Sequence, residues 1–363
     1  MPEAVGPPRE WVVGRYRPGD EREILDLINE VFGLRRSLEH WNWKFKDNPY
    51  GGPLLSLARL RSDGRLVGTY MCLPFQMNVA GNPVPASQTV DLVVHRDYRQ
   101  QGMFESMARD SYELLASVGI RAVVAFPNPT AMSYPGFVRT LAWRPLCHPR
   151  RFTLRLDLER QLRGLVPIAW LGRAINAGFR SVISARHGLG DRTLKDPSRD
   201  GLTFTVVTEA PLACDRLWEI CRTHQGLSVW KDARYFRWRY DRNPDHRFEY
   251  GCLTRGTELV AMTVAVERDG AVTLCELLVA GQDAALGARL VTEVSRHYFA
   301  KRVRSVSFFG HDSGYFRSVL ADFSVSRTSE NVLVGRSLGD ESLDALIANP
   351  GEWTVTYGDA DFV

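Results

Sequence analysis

The chain has 363 residues, of which 44% are hydrophobic and 24% charged, and a net charge of +4. This is an ordinary globular composition on a chain longer than one core usually organises, so two domains are expected. Near balance of acids and bases excludes a strong electrostatic footprint for nucleic acid. The longest apolar candidate for a membrane span, LVPIAWLG at 165–172, is too short and Arg173 follows it.

In chain order, the start MPEAVGPPREW is polar and proline-rich, with no signal-peptide core. The six cysteines sit in apolar runs with no C-x-x-C pair, so a reducing cytoplasm is the expected location. Only five of the 46 basic residues are lysines, among them Lys44 and Lys231. A helix is predicted over 19–33, with Asp20 as N-cap and Ile24, Leu25, Ile28 and Val31 at helical spacing. HWNWKFKDNPYGG (40–52) follows; its aromatic residues read as core and Asn48-Pro49 as a turn. LLSLARL and RLVGTYMCLPFQMNV read as strands joined by an Asp63-Gly64 turn. QTVDLVVH is a buried strand. After RQQG a helix is predicted, with Met103, Met107 and Leu114 on one stripe and Phe104, Ala108, Ser111 and Leu115 beside it. RAVVAFP is the next strand, and GFVRTLAW closes the unit.

Residues 151–200 break the pattern: a helical stretch interrupted near Pro167, then a polar Gly/Pro/Asp-rich linker. A helix packing between domains is the expectation; an amphipathic membrane-surface helix is the alternative. The pattern then returns. YFRWRYDRNPDHR (235–247) matches the first aromatic block without a gap, with Trp43, Phe45, Asn48 and Pro49 on Trp238, Tyr240, Asn243 and Pro244. TVDLVVHRDYRQQG has the partner LCELLVAGQDAALG, which sets Asp91 against Glu276. Two copies of one fold are therefore expected. The boundaries expected are 10–150 for the first domain, 151–200 for the connection, 201–340 for the second domain and 341–363 for a tail. That tail, with WTVTYGDADFV at its end, either folds back as a last strand, with Asp359 and Asp361 near a cationic substrate, or is simply an ordered end.

The junction VDLVVHRDYRQQGMFESMARD (90–110) carries the chemistry. The first amides of a helix have no intrahelical partner and the helix dipole adds positive charge there, so a pyrophosphate suits the place. Gly102 lets the backbone come close to a phosphate, and Arg99 can add a charge-assisted bond.

This stretch resembles the acetyl-CoA-binding motif of the GNAT superfamily of N-acyltransferases, Gln/Arg-x-x-Gly-x-Gly/Ala. Arg99 and Gly102 match, while Phe104 stands where a small residue is usual; it fits if its ring turns into the core and its N–H faces the phosphate. AVVAFPNPTAMSYPGFVRTLAWRPL resembles the next family block, with Asn128 on its asparagine and Ala142-Trp143 in place of Gly-Phe. The likeness covers most of 10–147 and, more faintly, 203–335, as in tandem GNAT proteins of bacteria. It implies an α/β (α+β) fold of two tandem GNAT-like domains, each a mixed, mostly antiparallel sheet flanked by helices. It implies acetyl-CoA, or another acyl-CoA, held by Leu92, Val93, Val94, Arg99, Gln100, Gln101, Gly102, Met103, Phe104 and Asn128. The second copy has Ala285 where the glycine belongs and Gly287 two positions on, so it is expected to keep the fold and bind CoA weakly or not at all.

Acyl transfer to an amine needs a neutral amine, a stabilised oxyanion and a proton for the thiolate. Asp91 is the candidate base, if burial raises its pKa; the alternative is a carboxylate that only bonds neighbouring groups. Tyr134 lies where the family supplies a tyrosine acid, though alignment on FVRTLAW puts Val138 at that position; core packing or a substrate wall is the alternative. No metal-ligand spacing appears. The partners expected are a small-molecule amine and a second copy in a homodimer, with no nucleic acid and no membrane. The activity expected is N-acetyl transfer to an amino sugar, amino acid or specialised metabolite. The alternatives are aminoacyl transfer to a cell-wall precursor and a non-catalytic CoA-binding scaffold.

Overall fold

The computed structural model describes residues 9–190 and 201–361. The start of the chain and the middle of the expected linker lie outside the described residues.

The first run is β1 (Trp11–Arg15), α1 (Glu21–Phe32), α2 (Leu38–Trp41), β2 (Leu54–Leu60), β3 (Leu66–Val79), β4 (Asn82–Val94), α3 (Met103–Ser117), β5 (Ala122–Ala125), α4 (Ser133–Pro135) and β6 (Arg144–Cys147). The second is β7 (Arg150–Arg155), α5 (Glu159–Leu165), α6 (Ala169–Arg186), β8 (Leu202–Val207), α7 (Cys214–Cys221), β9 (Ser228–Val229), α8 (Ala233–Phe236), β10 (Phe248–Arg255), β11 (Glu258–Arg268), β12 (Ala271–Val279), α9 (Ala284–Ala300), β13 (Ser305–Gly310), α10 (Gly314–Val319) and β14 (Ser324–Val325). β15 (Leu333–Ser337) and α11 (Glu341–Ile347) come last.

α1 buries Ile24, Leu25, Leu27 and Ile28, the apolar side of its 3.6-residue period. Asp20 stands at its N-cap without capping; its carboxylate binds Arg59 and the Arg17 amide instead. The Asp63-Gly64 turn forms as expected: Asp63 accepts from the Arg65 amide, and Gly64 takes φ +74°, where a side chain would be strained. In α3 the buried positions are Met103, Met107, Ala108, Ser111 and Leu115, drawn from both expected stripes. Gly68 on β3 makes room for the helix; a Cβ there would meet the Met103 sulfur at 2.8 Å.

The aromatic blocks are core in both copies. Trp41, Trp43 and Phe45, and likewise Phe236, Trp238 and Tyr240, are buried, each side chain contributing roughly 1.5–3 kcal/mol by burial. Both blocks wind into a π-helical turn, Asn42–Lys46 and Arg237–Asp241. Asn48 and Asn243 close them, each side-chain oxygen accepting the amide two residues on. The six cysteines are buried free thiols.

Two sheets result. One runs β1-β2-β3-β4-β5-β15-β6, the other β14-β7-β13-β12-β11-β10-β8. β4 with β5 and β12 with β13 are parallel, while β7 with β13 and β15 with β5 are antiparallel. The compact units cross the boundaries expected from sequence. Unit one holds residues up to Met77, Pro83–Leu146 and Val332–Gly351; unit two holds Asn78–Asn82, Cys147–Asn331 and the residues from Glu352. The reason lies in strand pairing. β7 pairs antiparallel with β13, while β15 returns to pair with β5, setting Val334 opposite Ala125. The expected tail at 341–363 is thus divided, α11 in the first unit and Trp353–Asp361 in the second.

Candidate functional site

β4 and β5 pair only over Ala86–Gln88 and Ala122–Val124, after which they part. Beyond the split lies a cavity of about 500 Å³. Its walls include Leu92, Val93 and Val94 of β4, then Arg99, Gln100, Gly102, Met103 and Phe104 at the start of α3. Val31 and Phe32 close one side, and Met132, Ser133, Gly136 and Thr140 another. Eight of the ten expected cofactor residues therefore line one cleft. Gln101 is exposed beside it, and Asn128 does not line it: its side-chain oxygen accepts from the Thr130 amide and hydroxyl, a turn-forming role.

Gly102 is the N-cap of α3, with φ +74° and no side-chain cap, and nothing lies within 4 Å of where a Cβ would stand. The α3 ladder opens with the Ser106 amide bonding the Gly102 carbonyl, so the amides of residues 103–105 have no intrahelical acceptor. Arg99 lies exposed alongside, its Nε donating to the Val94 carbonyl at 3.2 Å. These are donors arranged for an anion, and they fit the diphosphate of CoA. Leu92 to Val94, past the last β5 pair, fit its amide-bearing arm as an added strand would.

Phe104 is accommodated as its position requires. Its ring turns inward, 5.7 Å from the Phe137 ring centre, and lies over Gly136, where a Cβ would come within 2.9 Å of it. Gly136 is the residue sequence reading missed. Its signal was available: a bulky residue at a small-residue position demands a small one opposite.

The two catalytic candidates fare differently from expectation. Asp91 is buried at φ +45° and binds Lys44 Nζ at 2.7 Å and the Arg36 guanidinium. Burial alone would raise its pKa, but the Lys44 and Arg36 charges outweigh it and hold the carboxyl well below the usual range. A carboxylate so held is an anchor and a poor proton acceptor, which favours the alternative reading of Asp91, a carboxylate that bonds neighbouring groups. Tyr134, in α4, packs partly buried against the core cluster of this unit, while its neighbours Ser133 and Gly136 face the cavity. This placement supports the packing alternative for Tyr134.

A related cluster stands in the second unit, with one cation on the strand carboxylate and the other, Arg239, donating to the Ala360 carbonyl. The gapless offset of the aromatic blocks sets Arg36 on Lys231 and Lys44 on Arg239. Lys231 Nζ binds Glu276 Oε2 at 2.7 Å with both side chains fully buried. β12 and β13 also pair only over Ala271–Leu274 and Ser305–Phe308, then part. Here the tail fills the split. Gly310 bridges Thr356, and the His311 amide bonds the Val355 carbonyl at 3.0 Å. The Thr356 hydroxyl donates to Glu276 at 2.9 Å, Tyr235 donates to the Gly358 carbonyl, and Asp359 lies 3.2 Å from Lys231 Nζ. Gly358 fits so closely that a Cβ would sit 2.1 Å from Glu276 Oε1. At the start of α9, Asp283 Oδ1 accepts the Ala285 and Leu286 amides at 2.8 and 3.1 Å, taking the place an outside anion would occupy. Gly287 serves packing: a Cβ would meet Val319 at 2.8 Å.

Residues 13–146 match the family model described as acetyltransferase (GNAT) domain. No curated protein sequence matches the chain. Similar solved structures include a probable N-acyltransferase from Enterococcus faecalis V583, 14% identical, with a TM-score of 0.65 over 90% of this chain and 72% of that one. A GCN5-related N-acetyltransferase from Kribbella flavida is 14% identical, TM-score 0.59, over 90% and 71%. A tandem GNAT protein from the clavulanic acid biosynthesis pathway, solved without AcCoA, is 17% identical, TM-score 0.55, over 92% of this chain and all of that one. Residues 13–146 are thus an acetyltransferase domain of the GNAT family, carried on a chain with the fold of a tandem GNAT protein.

Proposed function

We propose that this chain is an acyl-CoA-dependent N-acyltransferase, acting through its first unit on the amine of a small molecule such as an amino sugar, an amino acid or a specialised metabolite. The observation that carries the reading is the open split at β4, with uncapped α3 amides at one end of a cleft of about 500 Å³. Bound there, an acyl-CoA would supply the thioester. Gly102 to Phe104 and Arg99 would hold its phosphates, and Leu92 to Val94 its arm. Among the described residues, the cleft wall carries one ionisable cation, Arg99, one phenol, Tyr98, and no carboxylate or imidazole. With no carboxylate or imidazole base on the wall, the amine is read as arriving neutral or losing its proton to water, and kcat/KM should rise with pH through the amine's own pKa. Aminoacyl transfer from a transfer RNA calls for a basic cleft, which this wall does not offer.

The test is calorimetric titration with CoA, then thioester turnover with a panel of amines. Gly102→Glu puts a carboxylate where phosphate would lie and should lower CoA affinity by about 100-fold or more. Undiminished affinity would place the phosphates elsewhere. CoA binding with no turnover on any amine would favour the scaffold reading.

A further inference from the structure

Helix α6 has two apolar sides, and only one is used by the fold. The inner side carries Gly172 and Asn176, both buried. A Cβ on Gly172 would lie 3.8 Å from Leu162 and 3.9 Å from Val166, so α6 packs closely on α5. Asn176 accepts the Leu158 amide at 2.8 Å and donates to Asp157 at 3.1 Å. Arg180 binds the same Asp157 and lies 3.9 Å over the Phe299 ring. These contacts anchor the helix and fix which of its sides faces out.

That outer side is unusual for a protein surface. Among the described residues, six of the fifteen large apolar side chains that are exposed fall between 165 and 182. Leu171, Ile175 and Val182 recur at helical spacing, and Leu165, Ile168 and Trp170 precede them; Leu165 is 78% and Trp170 64% exposed. A contiguous patch of this kind marks an interaction surface. Its charge selects the partner. From residue 160 to 190 there are five arginines and no Asp or Glu. Arg163 pairs with Glu159 at 2.6 Å; Arg160, Arg173 and Arg186 lie exposed. An isologous contact between two copies would set these like charges face to face. An anionic lipid surface satisfies both features, taking the apolar side chains into the acyl boundary and the guanidinium groups at the headgroups. Tryptophan is suited to that boundary, with an apolar ring and one donor. No described helix is long and apolar enough to cross a membrane, so the helix would lie in the plane of the surface.

We propose that the outer face of α5 and α6 docks the protein on anionic phospholipid. This reverses the expectation of no membrane partner, and it stands apart from the acyl-transfer reading. The test is co-sedimentation of the full chain with vesicles of phosphatidylcholine alone and of phosphatidylcholine mixed with phosphatidylglycerol. Three exposed arginines should give the mixed vesicles a preference of about 100-fold, lost at high salt. Ile175→Asp, at an exposed position, should weaken binding ~10-fold or more. A blue shift of tryptophan emission on binding should shrink in Trp170→Phe. Equal or no binding to the two vesicle types, or undiminished binding of Ile175→Asp, would overturn the proposal. So would sedimentation velocity in which Ile175→Asp converts a dimer to a monomer, since the face would then belong to a second copy.

Discussion

In the first unit β4 leaves β5 after Gln88, and a cavity lies beyond; in the second β12 leaves β13 after Leu274, and the chain's own tail lies beyond. Around both splits the same parts recur: a carboxylate on the diverging strand, a cation before the short helix, and a cation in the π-helical turn. The cations have exchanged type, Arg36 and Lys44 in one copy, Lys231 and Arg239 in the other, and only Lys231 meets Glu276 while Arg239 donates to the Ala360 carbonyl. A group tuned for proton transfer would not tolerate that exchange, whereas an ion cluster that fixes a strand to a helix would. The difference therefore separates scaffold from site. The cluster belongs to the fold, and the contents of the split decide what each copy can bind.

Removing the tail is the largest perturbation of this comparison. Truncation before Trp353 takes away a buried indole, Val355 and Ala360, and leaves Lys231 and Glu276 without Asp359 and Thr356. We expect a loss of about 5 kcal/mol or more in the second unit, read by denaturant unfolding. Gly358→Ala is the gentler version, forcing a Cβ against Glu276 and Tyr240. Wild-type stability in the truncated chain would mean that the tail merely rests in the split.

The first copy offers the matching test. Asp91→Asn leaves Lys44 buried beside a neutral group, and should cost ~3–5 kcal/mol at neutral pH. Because the folded carboxyl is held below its ordinary value, this stability is present above the unfolded pKa of about 4 and is lost as pH falls further. The gap between wild type and variant should therefore close on acidification, in unfolding curves taken across pH. If instead Asp91→Asn left stability unchanged and abolished turnover at all pH values, Asp91 would be a base after all.

How much of this was legible in the sequence follows from which interactions are local. The helices, the Asp63-Gly64 turn and the motif at 90–104 are written in neighbouring residues, and period and turn chemistry expose them. The repeat was legible too, because the aromatic blocks keep their spacing. The return of β15 to β5 was not: Leu333–Ser337 carries nothing that names its partner. The ion pairing of Asp91 was not legible, because a carboxylate's pKa depends on what faces it. Lys44 lies 47 positions away, inside a block legible only as aromatic core. Yet the gapless match carries a cation at both places in both copies, so extending it beyond the aromatics would have raised the ion cluster from sequence.

The smallest expected effect is the sharpest for function. Asp283 occupies the helix start that Gly102 leaves bare. Asp283→Ala should cost only ~1 kcal/mol of stability, the usual worth of an N-cap. It should also leave CoA binding at one per chain, because the tail still fills the split between β12 and β13. Combined with tail truncation, in protein that remains folded, it removes both obstacles at once. A second CoA per chain in the double variant, absent from either single one, would show that the second copy retains a cofactor site closed by two independent devices. One CoA in all four proteins would mean that the altered loop before α9 has removed the site itself, and the likeness of the two splits would then be a matter of strand geometry alone.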